Sequence, residues 1–506
     1  MRIVGDVTGG LTAGIVALPL CLAFGIASGL GASAGLWGAI ALCFFASIFG
    51  GTKTQISGPT GPMTVVVATI VLAFDGNIGL VAAIFILTGI LQMLFGFLKI
   101  GDFVKFIPYP VVSGFMSGVG VIIILLQIAP MLGYNSTGSI TKDLLKIPFM
   151  LKDIHINTVL ITFFGLAILY LTPKKIATLL PTPLISLIAI TAIVVLFDID
   201  VAKIGAMPTS LPSFIIPNLE SDHLIKIATY AFILAALGSI DSLLTSVVAD
   251  SITNTKHNSN KELIGQGLGN MAAGFIGGLV GAGATMRTVI NIKTGGNSRL
   301  SGVISALFLL IVFLFIGSLV AQIPIAALSA ILIKVGFDII DYRLLKNYKA
   351  VPKSELVVAG VVFFLTVFVD LIVAVAIGSI LSALFSLWEI VVESRDLQVI
   401  KYEKFNLISI KNSFFFANLS STMQKIESHL DEPLVIDLRG VKFIDLSATY
   451  GLKDLFITQK NKNLPLYFIF NKEQLEKKNI KNITSFIGKN HIFTSMPELY
   501  DSINEK

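Results

Sequence analysis

The chain has 506 residues, of which 54% are hydrophobic and 13% charged, with a formal net charge of +6. Soluble globular chains carry roughly 25% charged residues, so most of this one lies in lipid, and a soluble enzyme or a nucleic-acid-binding module is excluded as a description of the whole. The positive excess follows the loops between apolar segments and calls for no nucleic acid partner.

The N-terminus runs directly from Met1-Arg2 into an apolar stretch with no short apolar core followed by a cleavage site. The first span is therefore expected to stay as the insertion signal. Cys21 and Cys43 fall inside apolar runs and read as small core hydrophobes. All five histidines (His155, His223, His257, His429 and His491) lie in polar segments, so a histidine relay or metal site within the membrane is not expected.

The first irregular element is "SGPTGPMTVVVATIV", residues 57–71. Proline is tolerated in the first turn of a helix, so Pro62 predicts a short helix starting at Thr60 or Gly61. The preceding Ser57-Gly58-Pro59 must be extended. Irregular backbone survives at membrane depth only where it is buried in protein or lines a wet cavity. The break from Gly58 to Pro62 thus aims the free N–H groups and positive end of a half-helix at an anion. The hydroxyls of Ser57 and Thr64 are expected to satisfy backbone groups freed there.

Longer apolar segments follow at 78–98, 109–133, 227–249, 300–320 and 355–387. Alternate loops carry the basic residues: Lys53; Lys99; Lys174 and Lys175; Lys256 and Lys261; Lys293 and Arg299; then Arg343, Lys346, Lys349 and Lys353. The others are neutral, acidic or mixed, which predicts a cytoplasmic N-terminus. A spanning helix needs about 20 residues, and on that measure the chain holds about fourteen crossings or part-crossings.

Within 227–249, Asp241 is an ionisable residue in an otherwise apolar run. Such a carboxylate is costly and marks a functional site by default. Thr245 shares its helix face four residues on. Carboxylate, hydroxyl and unwound carbonyl oxygens suit a hard cation.

A second break occurs in "GLVGAGATMRTVINI", residues 278–292, where a short helix is predicted to begin at Thr285 or Met286. It stands at a matching distance into its own half of the apolar region. Paired interrupted segments point to inverted repeats with a substrate site between them. Arg287 adds a full charge to the second helix end, either facing the anion or pairing with Asp241. Asp370, in "FVDLIVAV", is read as a turn between two short spans.

After about Arg395 the pattern changes to alternating strands and a strand–turn–helix run, "EPLVIDLRGVKFIDLSATYGLKDLF". This predicts an α/β domain over 395–506 on the same side as the N-terminus, following a transmembrane domain over 1–394 with repeats of about 1–200 and 224–394.

The stretches "SGPTGPM", "GSIDSLLTSVVAD", "NKELIGQGLGNMAAGFIGG", "GAGATMRTVINI" and "VGFDIIDYRLLK" resemble the SulP family of anion transporters, and "LVIDLRGVKFIDLSATYGL" resembles its C-terminal STAS domain. The resemblance covers nearly the whole chain. It implies a seven-plus-seven inverted repeat with two half-helices, core and gate subdomains, a homodimer, and elevator-like movement of the site. Within the family, "NKELIGQGLGN" and "KVGFDIID" are most similar to the sodium-dependent bicarbonate transporters of the BicA type. That similarity implies a Na⁺ site at Asp241, Thr245, Gly283 and Thr285, and anion contacts at Thr60 and Ala284. Gly61 and Arg287 join the anion contacts on the helix-end argument.

Two departures bear on the substrate. That branch has an acidic residue where this chain has Gly58, and a small residue where this chain has Arg287, arginine being the wider family's pattern. In the tail, Ser447 matches a serine phosphorylated in soluble relatives, with a strand-to-helix N-cap as its structural alternative.

The resulting expectation is a multi-pass transporter in the bacterial plasma membrane that takes up a small inorganic anion, bicarbonate foremost, with Na⁺ as the coupling ion and no bound cofactor. The alternative is sulfate or a dicarboxylate, moved with protons or by exchange, in which case Asp241 protonates instead of binding Na⁺. The apolar segments hold no histidine, paired carboxylates or nucleophile–base arrangement, so enzymatic activity is not expected.

Overall fold

The computed structural model describes residues 2–101, 108–136, 140–177, 181–205, 211–217, 221–369, 371–393, 398–476 and 478–504. Asp370 and Arg395, the expected turn and the expected composition boundary, lie outside these residues. The chain divides into two compact units, Met1–Ser379 and Ile380–Lys506, each described by itself.

The first unit is helical. Its principal helices are α1 (Arg2–Ala27), α2 (Ala32–Phe49), α3 (Gly61–Ala73), α4 (Ile78–Phe97), α5 (Tyr109–Leu126), α6 (Ile156–Leu171) and α7 (Thr182–Leu196). They are followed by α8 (Leu224–Thr253), α9 (Ser259–Phe275), α10 (Thr285–Lys293), α11 (Arg299–Val320), α12 (Ile325–Ile339), α13 (Lys353–Phe368) and α14 (Leu371–Glu393), the last reaching past the unit boundary. Among the described residues, five stretches, Ile3–Ala27, Ala32–Phe49, Ile78–Phe97, Tyr109–Met131 and Leu224–Thr253, are long and apolar enough to cross a bilayer. Their ends are set by ordinary capping chemistry: the Asn77 side chain accepts from the amides of Gly79 and Leu80 at the start of α4, and Asn258 accepts from Lys261 at the start of α9.

The two halves correspond in order and exchange partners. Helix α4 packs on α8 and α9 of the second half, while α11 packs on α1 and α2 of the first. Likewise α1 lies against the half-helix α10, and α8 against the half-helix α3. The α4–α9 crossing is closest at a pair of glycines. A Cβ on Gly89 would stand 2.4 Å from the Gly267 carbonyl oxygen, and one on Gly267 would stand 2.5 Å from that of Gly89. Small residues at such a crossing let apolar helices pack without hydrophobic drive in lipid. Helices α5, α6, α7, α12 and α13 form a second group through the α5–α12, α5–α13, α6–α12 and α6–α7 contacts.

In the second unit, β3 (Gln398–Lys401), β4 (Asn406–Ser409), β6 (Leu434–Asp437), β8 (Leu466–Ile469) and β9 (Ile492–Phe493) form one sheet in that order, antiparallel only between β3 and β4. Strands β5 (Asn412–Phe414) and β7 (Val441–Ile444) pair separately in parallel. Helices α15 (Phe416–Glu427), α16 (Leu446–Asn461), α17 (Lys478–Ile487) and α18 (Met496–Asn504) complete the unit. Strands β6 and β8 are buried along their whole length, as parallel strands covered on both faces must be. Asp445 caps α16, its carboxylate accepting from the amides of Ala448 at 2.8 Å and Phe416 at 2.9 Å. Ser447 therefore falls inside the first turn of α16 and is not its N-cap: the side chain two residues earlier already fills that role.

Candidate functional site

Both interrupted segments form as extended backbone followed by a half-helix. Strand β1 (Ser57–Gly58) pairs antiparallel with β2 (Ala282–Gly283), Ser57 opposite Gly283 and Gly58 opposite Ala282. Helix α3 starts at Gly61 with Thr60 as N-cap and Pro62 in the first turn, and α10 starts at Thr285 with Ala284 as N-cap. The first closed turns match: the Thr64 amide donates to the Thr60 carbonyl and the Thr288 amide to the Ala284 carbonyl, both at 2.9 Å. Neither N-cap side chain bonds its own helix. The first-turn amides of both helices thus remain available to a ligand. The short sheet holds these two helix ends together in the interior of the first unit.

The expected cation residues collect around α8. The Thr245 hydroxyl lies 3.0 Å from the Gly283 carbonyl oxygen and 2.8 Å from the Thr285 hydroxyl. The Gly283 amide donates to the Ser242 hydroxyl at 3.0 Å, which fixes β2 against α8. Asp241 is one turn before Thr245, and its Oδ2 is buried without a hydrogen-bond partner. The Thr60 hydroxyl, opposite it, is likewise buried and unpartnered. Asp241 shares a small apolar cavity of about 30 Å³ with Pro62, Leu237, Ile240 and Leu244. The fold therefore brings an expected anion contact, Thr60, against an expected cation ligand, Asp241. One buried oxygen of a partly buried carboxylate and a buried hydroxyl thus face each other with no other partner, an arrangement that a bound ion would relieve. The oxygens on offer are one carboxylate, two hydroxyls and one carbonyl, a hard donor set with a single negative charge. That set fits a monovalent cation of the Na⁺ kind.

Arg287 reaches across to the first break. Its side chain is 2% exposed, and Nη2 donates to the Pro59 carbonyl at 2.6 Å while Nη1 lies 3.6 Å from the Cys21 sulfur. Among the described residues it forms no ion pair with Asp241. Two of its nitrogens are thus engaged by the first break and by Cys21, and its charge is buried beside both helix ends. Gly58 explains how it fits: a Cβ there would come within 2.7 Å of Arg287 Nη1. The two departures noted in the sequence are thus one feature, an arginine accommodated by a glycine.

Several residues were not singled out from sequence: Gln55, Gln92, Ser242, Ser246, Glu262, Gln266 and Asn270. All are buried and all bond the extended segments or their neighbours. The available signal was the four-residue spacing of Glu262, Gln266 and Asn270 in "NKELIGQGLGN", a polar stripe on a membrane helix.

Residues 3–362 match the sulfate permease family and residues 396–499 the STAS domain. The bicarbonate transporter BicA of Picosynechococcus sp. is 45% identical over 392 residues, covering 74% of this chain and 69% of that protein. The putative sulfate transporter YvdB of Bacillus subtilis is 30% identical over 516 residues, covering 98% and 96%. Among solved structures, the murine Slc26a9 anion transporter superposes with a TM-score of 0.85 over 99% of this chain and 92% of that one, at 20% identity, a likeness of fold.

Proposed function

This chain belongs to the sulfate permease family and is a multi-pass membrane transporter of anions, and on that premise we propose that it carries bicarbonate inward together with Na⁺. We further propose that it does so across the plasma membrane as a homodimer, with both termini cytoplasmic. The observation that carries the reading is the meeting of the two half-helix ends with the unpartnered Asp241 and Thr60 oxygens between them. The similarity to BicA supports bicarbonate.

In this mechanism Asp241, the Thr245 and Thr285 hydroxyls and the Gly283 carbonyl hold Na⁺. The anion is held by Thr60 and by the first-turn amides that begin at Gly61 and at Ala284–Thr285, in the positive field of both helix ends and of Arg287. Coupling follows from electrostatics. Without the cation, the Asp241 carboxylate repels an anion beside Thr60; with it, the pocket's charge favours the anion. Sulfate is the second reading, favoured by the buried charge of Arg287 and by the full-length likeness to YvdB.

Uptake of labelled bicarbonate and labelled sulfate into proteoliposomes, each with and without a Na⁺ gradient at fixed pH, separates the two. Na⁺-dependent bicarbonate uptake is the expected result. Sulfate uptake indifferent to Na⁺ overturns the proposal and reassigns Asp241 to protons.

A further inference from the structure

Helix α9 buries three polar side chains in a single stripe: Glu262 is 1% exposed, and Gln266 and Asn270 are fully enclosed. The Glu262 carboxylate receives four donors. Its Oε2 accepts from the backbone amides of Gly51 and Thr52, both at 2.8 Å, and its Oε1 from Gln55 Nε2 at 2.9 Å and Gln266 Nε2 at 2.8 Å. From there the bonding spreads to the transport site in two directions. Gln266 Nε2 also lies 2.6 Å from the Ser57 hydroxyl, in β1. Gln55 Oε1 accepts at 2.9 Å from the Ser246 hydroxyl, which belongs to the residue after Thr245. On the other face of the same turn, Arg299 Nη2 donates to the Gly50 carbonyl at 2.7 Å, so the Gly50–Gly51 peptide is gripped by a charge on each side. At the far end of the stripe, Asn270 brackets Gly281 just before β2, donating to its carbonyl at 3.0 Å and accepting from its amide at 2.8 Å.

We propose that Glu262 is the positioning residue of the transport site, its charge fixing the lead-in to β1 and thereby the spacing of the two half-helix ends. This rests on the reading of those ends as the ion site. Four donors converge on the carboxylate, and a neutral isostere cannot accept all four as they stand. A glutamine at 262 would take the two backbone amides on its oxygen and turn its NH₂ toward Gln55 and Gln266, which could accept it only by turning their own amides over and giving up the Ser246–Gln55 and Gln266–Ser57 bonds. Glu262 touches neither ion and acts only through Gln55, Gln266 and the 51–58 backbone.

The network also predicts its own repair. With Glu262→Gln and Gln55→Glu together, the glutamine oxygen takes the two backbone amides and its NH₂ donates to the new carboxylate. The second hydrogen reaches Gln266 Oε1 once that amide turns over, which carries Nε2 off the Ser57 hydroxyl to the place where Oε1 has no partner, so the repair is partial. The test is made on the full chain in proteoliposomes, measuring KM and maximal rate for bicarbonate and sulfate, together with amide hydrogen exchange of residues 51–58 and 281–284. For E262Q and for Q55E alone, the expected results are a KM raised about tenfold or more and faster exchange in those two segments. For the double variant, both recover by at least about threefold from the worse single variant. E262Q indistinguishable from the parent in KM and exchange overturns the proposal, as does a double variant no better than the worse single. If E262Q yields no folded protein, recovery in the double variant still decides. The exchange readout does not depend on the substrate, so a parent protein that takes up neither anion counts against the transport reading alone.

Discussion

The two breaks share a backbone and differ in everything attached to it. At the first, the half-helix end carries a bare hydroxyl, Thr60, and its lead-in is held by a charged clamp, Glu262. At the second, the end carries Thr285 tied to Thr245, a buried arginine three residues past the N-cap, and a lead-in held by a neutral clamp, Asn270 with Gln92. Repetition supplied a symmetric frame with two positive helix ends. In the proposed mechanism, side-chain asymmetry gives the two ends different work: the second break and α8 supply cation ligands, and the first supplies the anion's hydroxyl within reach of the same carboxylate. A symmetric pocket would bind one kind of charge; the proposed one takes two of opposite sign.

The largest effect is expected where the halves meet. Asp241→Asn removes the carboxylate that the proposal assigns to the cation, and uptake should fall by at least about 100-fold with loss of any Na⁺ response. Na⁺-stimulated uptake persisting in that variant breaks the assignment. Next come the hydroxyls, which separate the two breaks. Thr245→Val should raise the half-saturating Na⁺ concentration about tenfold with less effect on the anion's KM, and Thr60→Val should do the reverse. Equal shifts in both constants for both variants would erase the division of labour. The accommodation of Arg287 is tested by Gly58→Ala, which should cost about 1–3 kcal/mol in thermal unfolding, with only part of the loss relieved by adding Arg287→Ala, since the backbone at Gly58 disfavours any side chain. The smallest effect concerns the neutral clamp. Asn270→Ala leaves the Gly281 peptide unpaired and should cost about 1–3 kcal/mol, less than Glu262→Gln.

Much of this frame was legible in the sequence because proline and glycine restrict backbone so sharply. Pro62 narrowed the start of α3 to Thr60 or Gly61, and the run of small residues to Ala284 narrowed that of α10 to Thr285 or Met286; the helices begin at Gly61 and Thr285. The strand and the helix around 434–461 formed as read, since buried parallel strands are nearly uniform in apolar character, but the sequence reading missed the strand Val441–Ile444 between them. Side-chain direction was less legible. Arg287 could face the anion, Asp241 or a carbonyl, and only the β1–β2 register shows that it reaches the Pro59 carbonyl across the clasp. The Glu262 stripe was hidden for another reason: its partners are backbone amides at 51 and 52, and amides carry no signature in a sequence. Ser447 shows the same limit on a smaller scale, since either it or Asp445 could have capped α16.

The central claim is that cation and anion share one pocket, and reciprocal binding tests it most directly. Na⁺ affinity of the purified protein would be measured with and without bicarbonate, and bicarbonate affinity with and without Na⁺. The account predicts that each ion tightens the other by the same factor, as linkage requires, and that Asp241→Asn abolishes the effect. Na⁺ affinity unmoved by saturating bicarbonate, in a protein that transports it, would contradict the account.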